Sequence, residues 1–223
     1  LSAFLNAFKI KELRNKIFFT AGVIVLCRIA ANIPCPGVDT KNLKTYFDSF
    51  GADSAAGQFM GMFDLFSGGA LQQFAIGALG IMPYISASII MQLLVPVVPS
   101  LEKLSREGEV GRGRINQYTR YLTILICIVQ GAMAAVAMTT PSNLGLPSPD
   151  PAFPLVTNPG FGFIAMSVCI LTAGTMILVW LGERITEHGI GNGVSIIITI
   201  NIIERLPQAL VGLYEMMVSG ATA

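Results

Sequence analysis

An uncharged, mostly apolar run extends from residue 71 to residue 98, and glycine and proline interrupt it. About 20 apolar residues in a helix cross the hydrocarbon core of a bilayer, so this run is long enough to span a membrane. Membrane helices tolerate residues such as Gly77, Gly80 and Pro83 where neighbouring protein or a water-filled cavity satisfies the freed backbone groups. The run therefore predicts a membrane segment that borders a cavity or another helix.

The composition also indicates a membrane protein. Hydrophobic residues make up 53% of the chain and charged residues 12%, against about 25% charged residues in soluble domains. The net charge of +1 gives no reason to expect nucleic-acid binding. The residues that could ligate a metal show no ligand-like spacing. The residues considered are the cysteines and the single histidine: Cys27, Cys35, Cys127, Cys169 and His188. No metal, cofactor or disulfide framework is predicted.

Hydropathy predicts an all-α integral membrane protein with five transmembrane helices. The spans are expected at 17–33, 72–97, 119–138, 161–181 and 194–212. The other segments are an interfacial amphipathic helix at 1–16, external loops at 34–56 and 139–160, a short apolar segment at 57–70, cytoplasmic loops at 98–118 and 182–193, and an external tail at 213–223.

The orientation follows from the distribution of lysine and arginine. These residues are concentrated in 1–16 and 98–118 and are absent from 139–160. The positive-inside rule then places the N-terminus in the cytoplasm and the C-terminus outside. A cleaved signal peptide over 9–31 is the alternative to a first transmembrane helix. The length of the run and Arg28 near its end favour the helix.

The segment 57–70 is apolar but too short to cross a bilayer, because a helix of this length reaches only about 20 Å. Gly57, Gly68 and Gly69 bracket the segment and allow it to fold back or to swing as a unit. Two interpretations stay open: a re-entrant half-helix that caps a cavity, or an amphipathic segment that rests on the outer leaflet.

Branched aliphatic residues recur four apart, and therefore on one helical face, in two of the predicted spans. They are Ile81 with Ile85, and Val194 with Ile198. Such pairs can line a dry constriction that excludes ions, although ordinary helix packing produces the same spacing. Arg28, near the end of the first span, either faces a cavity or a carboxylate such as Asp64, or extends to the interface.

Catalysis has little support in this sequence. It contains no Gly-x-Ser-x-Gly, no HExxH and no pair of intramembrane carboxylates, and no base lies near Ser86, Ser88 or Thr172. The protein is not expected to be an enzyme. Half of a secondary transporter with a broken-helix substrate site is the alternative to a channel. A transporter places polar groups near the midplane, whereas the candidate lining here is aliphatic.

Several strings resemble the SecY family, in its bacterial form, and they occur in the right order along nearly the whole chain. They are GMFDLFSGGAL (61–71), ALGIMPYISASIIMQLL (78–94), EGEVGRGRINQYTRY (107–121), NPGF (158–161) and WLGERITEHGIGNGVSIII (180–198). Members of this family form the central subunit of the general protein-export translocase. The resemblance implies a ten-helix clamshell of two pseudo-symmetric halves around an hourglass pore, of which this chain covers the first.

The resemblance also implies roles for individual residues. Residues 57–70 match the plug that closes the pore from outside, with Gly57, Gly68 and Gly69 as hinges. The plug residues are Phe59, Met60, Met62, Phe63, Asp64, Leu65 and Phe66. The residues that match the first half of the pore ring are Ile81, Ile85, Val194 and Ile198. Valine at 194 replaces the isoleucine more usual in the family, so the ring should be slightly wider.

The spans 72–97 and 119–138 match one side of the lateral gate. The gate residues are Pro83, Ser86, Ser88, Ile89, Gln92, Thr123, Cys127 and Gln130. Arg106, Arg112 and Arg114 are candidates for cytoplasmic docking.

The implied function is a protein-conducting channel of the bacterial cytoplasmic (inner) membrane, which moves unfolded secretory polypeptides across and releases membrane segments sideways into lipid. The implied partners are the second half of the family fold (helices six to ten), SecE- and SecG-type small subunits, the SecA motor or the ribosome, signal sequences and nascent polypeptides, and membrane lipids. No direct nucleic-acid site is expected in this half.

Overall fold

The computed structural model describes residues 10–49, 61, 64, 66–141 and 154–218. Seven helices have both ends within these residues: α1 (Lys11–Asn32), α2 (Thr40–Ser49), α3 (Met82–Val97), α4 (Pro99–Arg106), α5 (Glu109–Thr139), α6 (Phe161–His188) and α7 (Gly193–Val218). The described residues form no strand longer than the isolated bridges Pro34–Ala75 and Val38–Val156. The all-α prediction is confirmed.

Two of the described helices, α5 and α6, are long and apolar enough to cross a membrane. The pair α3 and α4 adds a third candidate if it is counted as one span bent by 97°. The apolar part of α7, Gly193–Glu204, is shorter than these. The count of five spans and their orientation stay predictions.

The broken run becomes a helix only in its second half. Residues 68–81 form successive turns, with one isolated bridge at Ala75, and α3 begins at Met82, ten positions after the expected start of the span at 72. Gly80 has a φ of +58°, which glycine adopts without a steric penalty. Pro83 stands in the first turn of α3, where its missing N–H costs no hydrogen bond.

The segment 98–118, which the sequence predicts to be a cytoplasmic connection between two spans, is largely helical. Its position in the cytoplasm stays a prediction. Helix α4 occupies residues 99–106 and α5 begins at Glu109. Gly108 has a φ of +75° and lets the chain reverse between them. A Cβ on Gly111 would overlap the Leu104 carbonyl oxygen. The bare glycine therefore allows α4 and α5 to pack as a close hairpin.

The buried apolar residues form two clusters. The first joins α2 to the end of α5 and the start of α6, where the rings of Phe74 and Phe163 stack 6.4 Å apart. The second joins α1 to the end of α6 and the start of α7, and includes Val23, Leu178 and Ile197. The second cluster contains the residues expected to line a constriction.

Candidate functional site

A tight turn between α6 and α7 fixes the position of Val194 and Ile198. The Oδ1 atom of Asn192 accepts hydrogen bonds from the N–H groups of Val194 (3.1 Å) and Ser195 (3.3 Å). This arrangement is an N-cap, which satisfies backbone donors that the first helical turn leaves open. The hydroxyl of Thr186 accepts a further bond from the Gly193 N–H at 2.9 Å.

Replacing Asn192 with alanine is expected to lower the free energy of unfolding by about 1 kcal/mol, because the N-cap bonds are lost. Chemical unfolding of the purified protein in detergent measures this change. Asn192→Ser is the matched control, since serine caps helices about as well as asparagine. Equal stability of the alanine and serine variants would contradict the capping role.

The same turn is also attached to α1. The Thr20 hydroxyl donates to the Lys16 carbonyl at 2.8 Å and accepts a bond from the Ile190 N–H at 3.3 Å. A Cβ on Gly189 would lie 2.6 Å from the Thr20 Oγ1 atom, so glycine is required for this approach. Helix α7 therefore begins at a position determined by both α6 and α1.

The four residues expected to form a pore ring lie in one aliphatic cluster. Ile81, at the start of α3, is 2% exposed and belongs to the buried centre of the cluster. Ile85, Val194 and Ile198 are half-buried and pack against it. The structure thus brings together two pairs that are more than a hundred positions apart in the chain. Their role as a ring stays a prediction.

A polar cluster lies beside these aliphatic residues. The Nη2 atom of Arg28 donates to the Oδ1 atom of Asn201 at 2.8 Å, and the Nη1 atom pairs with the carboxylate of Glu204. The Nδ2 atom of Asn201 donates to the Phe66 carbonyl oxygen at 2.7 Å. The cluster therefore connects α1, α7 and the turn that follows Phe66.

Part of the expected plug lies within the described residues. Gly61, Asp64, Phe66 and Ser67 are helical. Ser67 is followed by Gly68 and Gly69, whose φ values are +64° and +85°. Residues outside the described part of the chain are Gly57, Phe59, Met60, Met62, Phe63 and Leu65.

The residues expected at the lateral gate occupy different environments. Pro83, Thr123 and Cys127 are buried, and α3 packs against α5. Ser86, Ser88 and Gln130 are half-buried, whereas Ile89 and Gln92 are exposed. Their assignment to a gate stays a prediction.

The three arginines expected to dock a cytoplasmic partner are all exposed. Arg106 is near the end of α4 and pairs with Glu102 on the same helix. Arg112 and Arg114 are in the first turns of α5. The hairpin of α4 and α5 therefore presents all three side chains to solvent.

Sequence reasoning missed two ion pairs in this region. Arg120 of α5 pairs with Glu183 of α6, and Arg28 pairs with Glu204 of α7. Asn201 and Glu204 are three positions apart and share a helical face, a signal that could have indicated a common polar partner. Among the described residues, no three His, Cys, Asp or Glu side chains are placed to hold a metal ion.

Apolar helices arranged around an aliphatic cluster define a helical membrane protein. Residues 75–223 match the sequence model of the SecY family. The chain belongs to the SecY family.

Its curated relatives include protein translocase subunits SecY. The chain is 43% identical over 222 residues to the SecY of Aquifex aeolicus, covering 99% of this chain and 49% of the relative. It is 46% identical to the SecY of Streptomyces coelicolor (94% and 47% covered) and 47% identical to that of Buchnera aphidicola (90% and 43% covered). The chain thus spans about half the length of these relatives.

Two solved structures have a similar fold. One is described as "Sec61 in the Canine ribosome-channel complex from the endoplasmic reticulum" and aligns with a TM-score of 0.58 at 19% identity. The other is described as "The structure of a protein conducting channel" and aligns with a TM-score of 0.57 at 19% identity. Each alignment covers 93% of this chain and 42% of the other.

Proposed function

We propose that this chain forms half of a protein-conducting channel that moves unfolded secretory polypeptides across the bacterial cytoplasmic membrane. The observation that carries the proposal is the aliphatic cluster in which the start of α3 meets the start of α7. Ile85, Val194 and Ile198 keep part of their surface free there. In this role the chain performs no chemistry on its substrate.

The chemistry of the cluster suits a seal around a moving polypeptide. Branched aliphatic side chains offer no hydrogen-bonding group, so they hold no particular residue of a passing chain. They also exclude water from a narrow opening, and ions do not cross a dry constriction. A ring of this kind accepts varied side chains and still blocks ion leak.

The proposal includes a plug and a lateral gate. Residues 57–70 would close the pore from the external side, and Gly68 and Gly69 would serve as its hinge. The exposed face of α3 near Ile89 and Gln92 would meet the second half of the channel and separate from it to release membrane segments into lipid. The proposal also includes five transmembrane helices, with the N-terminus in the cytoplasm and the C-terminus outside.

The remaining partners follow from the family of the chain. We expect helices six to ten of the SecY fold, SecE- and SecG-type small subunits, and either the SecA motor or the ribosome at the cytoplasmic face. The exposed Arg106, Arg112 and Arg114 are candidates to contact that motor or ribosome. One of the two similar solved structures is described as a ribosome-channel complex, which supports a ribosome as partner.

Half of a secondary transporter is the second candidate, and one observation favours it. The polar cluster of Arg28, Asn201 and Glu204 lies between apolar helices, and transporters place such groups at substrate sites. However, these side chains are bonded to one another and to the Phe66 carbonyl oxygen. Because these side chains already have partners within the chain, we assign them a structural role and not a substrate site.

A cysteine in place of Ile85 is expected to form a crosslink with a secretory polypeptide stalled during export. Ile85 and Ile128 serve as the test and control positions, because Ile128 is on the exposed face of α5. The background carries Cys169→Ser, which removes the one exposed natural cysteine. Protection of residue 85 by a small solute, without a crosslink to the stalled chain, would contradict the channel and favour the transporter.

A further inference from the structure

We propose that Arg28, Asn201 and Glu204 form a polar anchor that holds the turn at residues 66–69 against α1 and α7. The inference rests on the proposed function, because it takes this turn as the hinge of the plug. It concerns only residues that the structure describes. In this role the three side chains are positioning residues, which keep the resting channel closed by fixing the backbone of the hinge.

The three side chains act in series. The carboxylate of Glu204 balances the charge of Arg28, a cation that is expensive to hold within an apolar helix. The guanidinium of Arg28 binds the Oδ1 atom of Asn201 and thereby fixes the orientation of the amide. The Nδ2 atom of Asn201 is then directed at the Phe66 carbonyl oxygen, 2.7 Å away.

The glycine at 68 makes the approach possible. A Cβ on Gly68 would lie 2.6 Å from the Nη1 atom of Arg28 and 3.2 Å from the Oδ1 atom of Asn201. The same residue has a φ of +64°, which glycine adopts without strain. The turn therefore rests directly on the anchor, with no side chain between them.

The anchor can be released without dismantling the bundle. Its hydrogen bond to the hinge goes to the main-chain carbonyl of Phe66, whereas the bonds among Arg28, Asn201 and Glu204 connect α1 to α7. Opening the hinge breaks the hydrogen bond to the Phe66 carbonyl and leaves the bonds among the three side chains in place. The bundle then keeps a charge-balanced cluster to which the turn can return.

The test uses the assembled channel in proteoliposomes, with Cys169→Ser as background and Ser67→Cys as reporter. Ser67 is 5% exposed, so a cysteine there should react slowly with a membrane-impermeant maleimide added outside. Asn201→Asp is the decisive variant, because it keeps size and an acceptor for Arg28 but removes the donor to Phe66. We expect labelling to accelerate about tenfold, the effect of losing one hydrogen bond of a charge-linked network, and resting ion conductance to rise.

Two further variants separate the anchor from general stability. Glu183→Gln breaks the Arg120–Glu183 pair, which does not touch the turn, and should leave both labelling and conductance unchanged. Asn201→Leu removes the same donor without adding charge and should behave like Asn201→Asp. Labelling at the parental rate in both Asn201 variants would overturn the anchor, as would equal acceleration in Glu183→Gln.

Transport by the parent channel is measured in the same vesicles with an unfolded secretory protein. If the parent transports and the Asn201 variants are labelled at the parental rate, the anchor is disproved and the proposed channel function stands. If the parent does not transport and labelling is accelerated in those variants, the proposed function is disproved and the anchoring contact stands. The two failures are therefore distinguishable.

Discussion

Replacing Gly174 with valine is expected to prevent the helical bundle from accumulating in the membrane. A Cβ at this position of α6 would overlap the carbonyl oxygen and the Cγ2 atom of Ile76. The oxygen belongs to the backbone of the tight turns at 68–81, so it cannot move aside as a flexible side chain would. We expect the free energy of unfolding to fall by about 3 kcal/mol or more, which is the upper end of the range for inserting atoms into a packed core.

The amount of protein in isolated membranes and the midpoint of its thermal unfolding in detergent measure this effect. Gly162→Val is the matched control on the same helix, because nothing lies within 4 Å of a Cβ built there. The control should accumulate like the parent. Similar yields and midpoints for the two variants would show that α6 does not approach Ile76 as closely as described.

The Gly174 contact also bears on the candidate site. Ile81 is the last residue of the turns at 68–81, and its place in the aliphatic cluster depends on where those turns rest on α6. Gly193 has the same function at the other end of the site, since a Cβ there would overlap the Gly182 carbonyl oxygen. Two close backbone contacts thus bring the starts of α3 and α7 together.

Local chemistry predicted the α-helical class and the break in the run at 71–98. Pro83 favours the first turn of a helix, and α3 begins next to it. Hydropathy detects only apolar helices, so it gave no sign of the helix at 99–106 within the predicted connection at 98–118. The pair of Glu102 and Arg106, four positions apart, is typical of a solvated helix, and α4 forms there.

Contacts between distant parts of the chain could not be predicted in the same way. Spacing showed that Ile81 and Ile85 share a face, and that Val194 and Ile198 share another, but not that the two faces meet. The bond from Arg28 to Asn201 joins residues 173 positions apart. Asn201 and Glu204 lie within the predicted fifth span at 194–212, and the sequence does not show that their partner is Arg28 on another helix.

Replacing Ile85 with asparagine is expected to raise the ion conductance of the resting channel about tenfold. An amide at this half-buried position would attract water into the proposed constriction, which aliphatic side chains keep dry. A reduction of about 1.4 kcal/mol in the barrier to ion passage is enough for this change. Ile85 suits the test better than Ile81, because Ile81 is almost fully buried and a polar group there would also destabilise the fold.

Single-channel recording in planar bilayers measures the leak, with Ile128→Asn as the control. Ile128 is 48% exposed on α5, so the same change there should leave the resting conductance at the parental value. Ile198→Asn should resemble Ile85→Asn, because both residues pack against the same cluster. Parental conductance in both ring variants would mean that the cluster is ordinary helix packing and that the barrier to ions lies elsewhere.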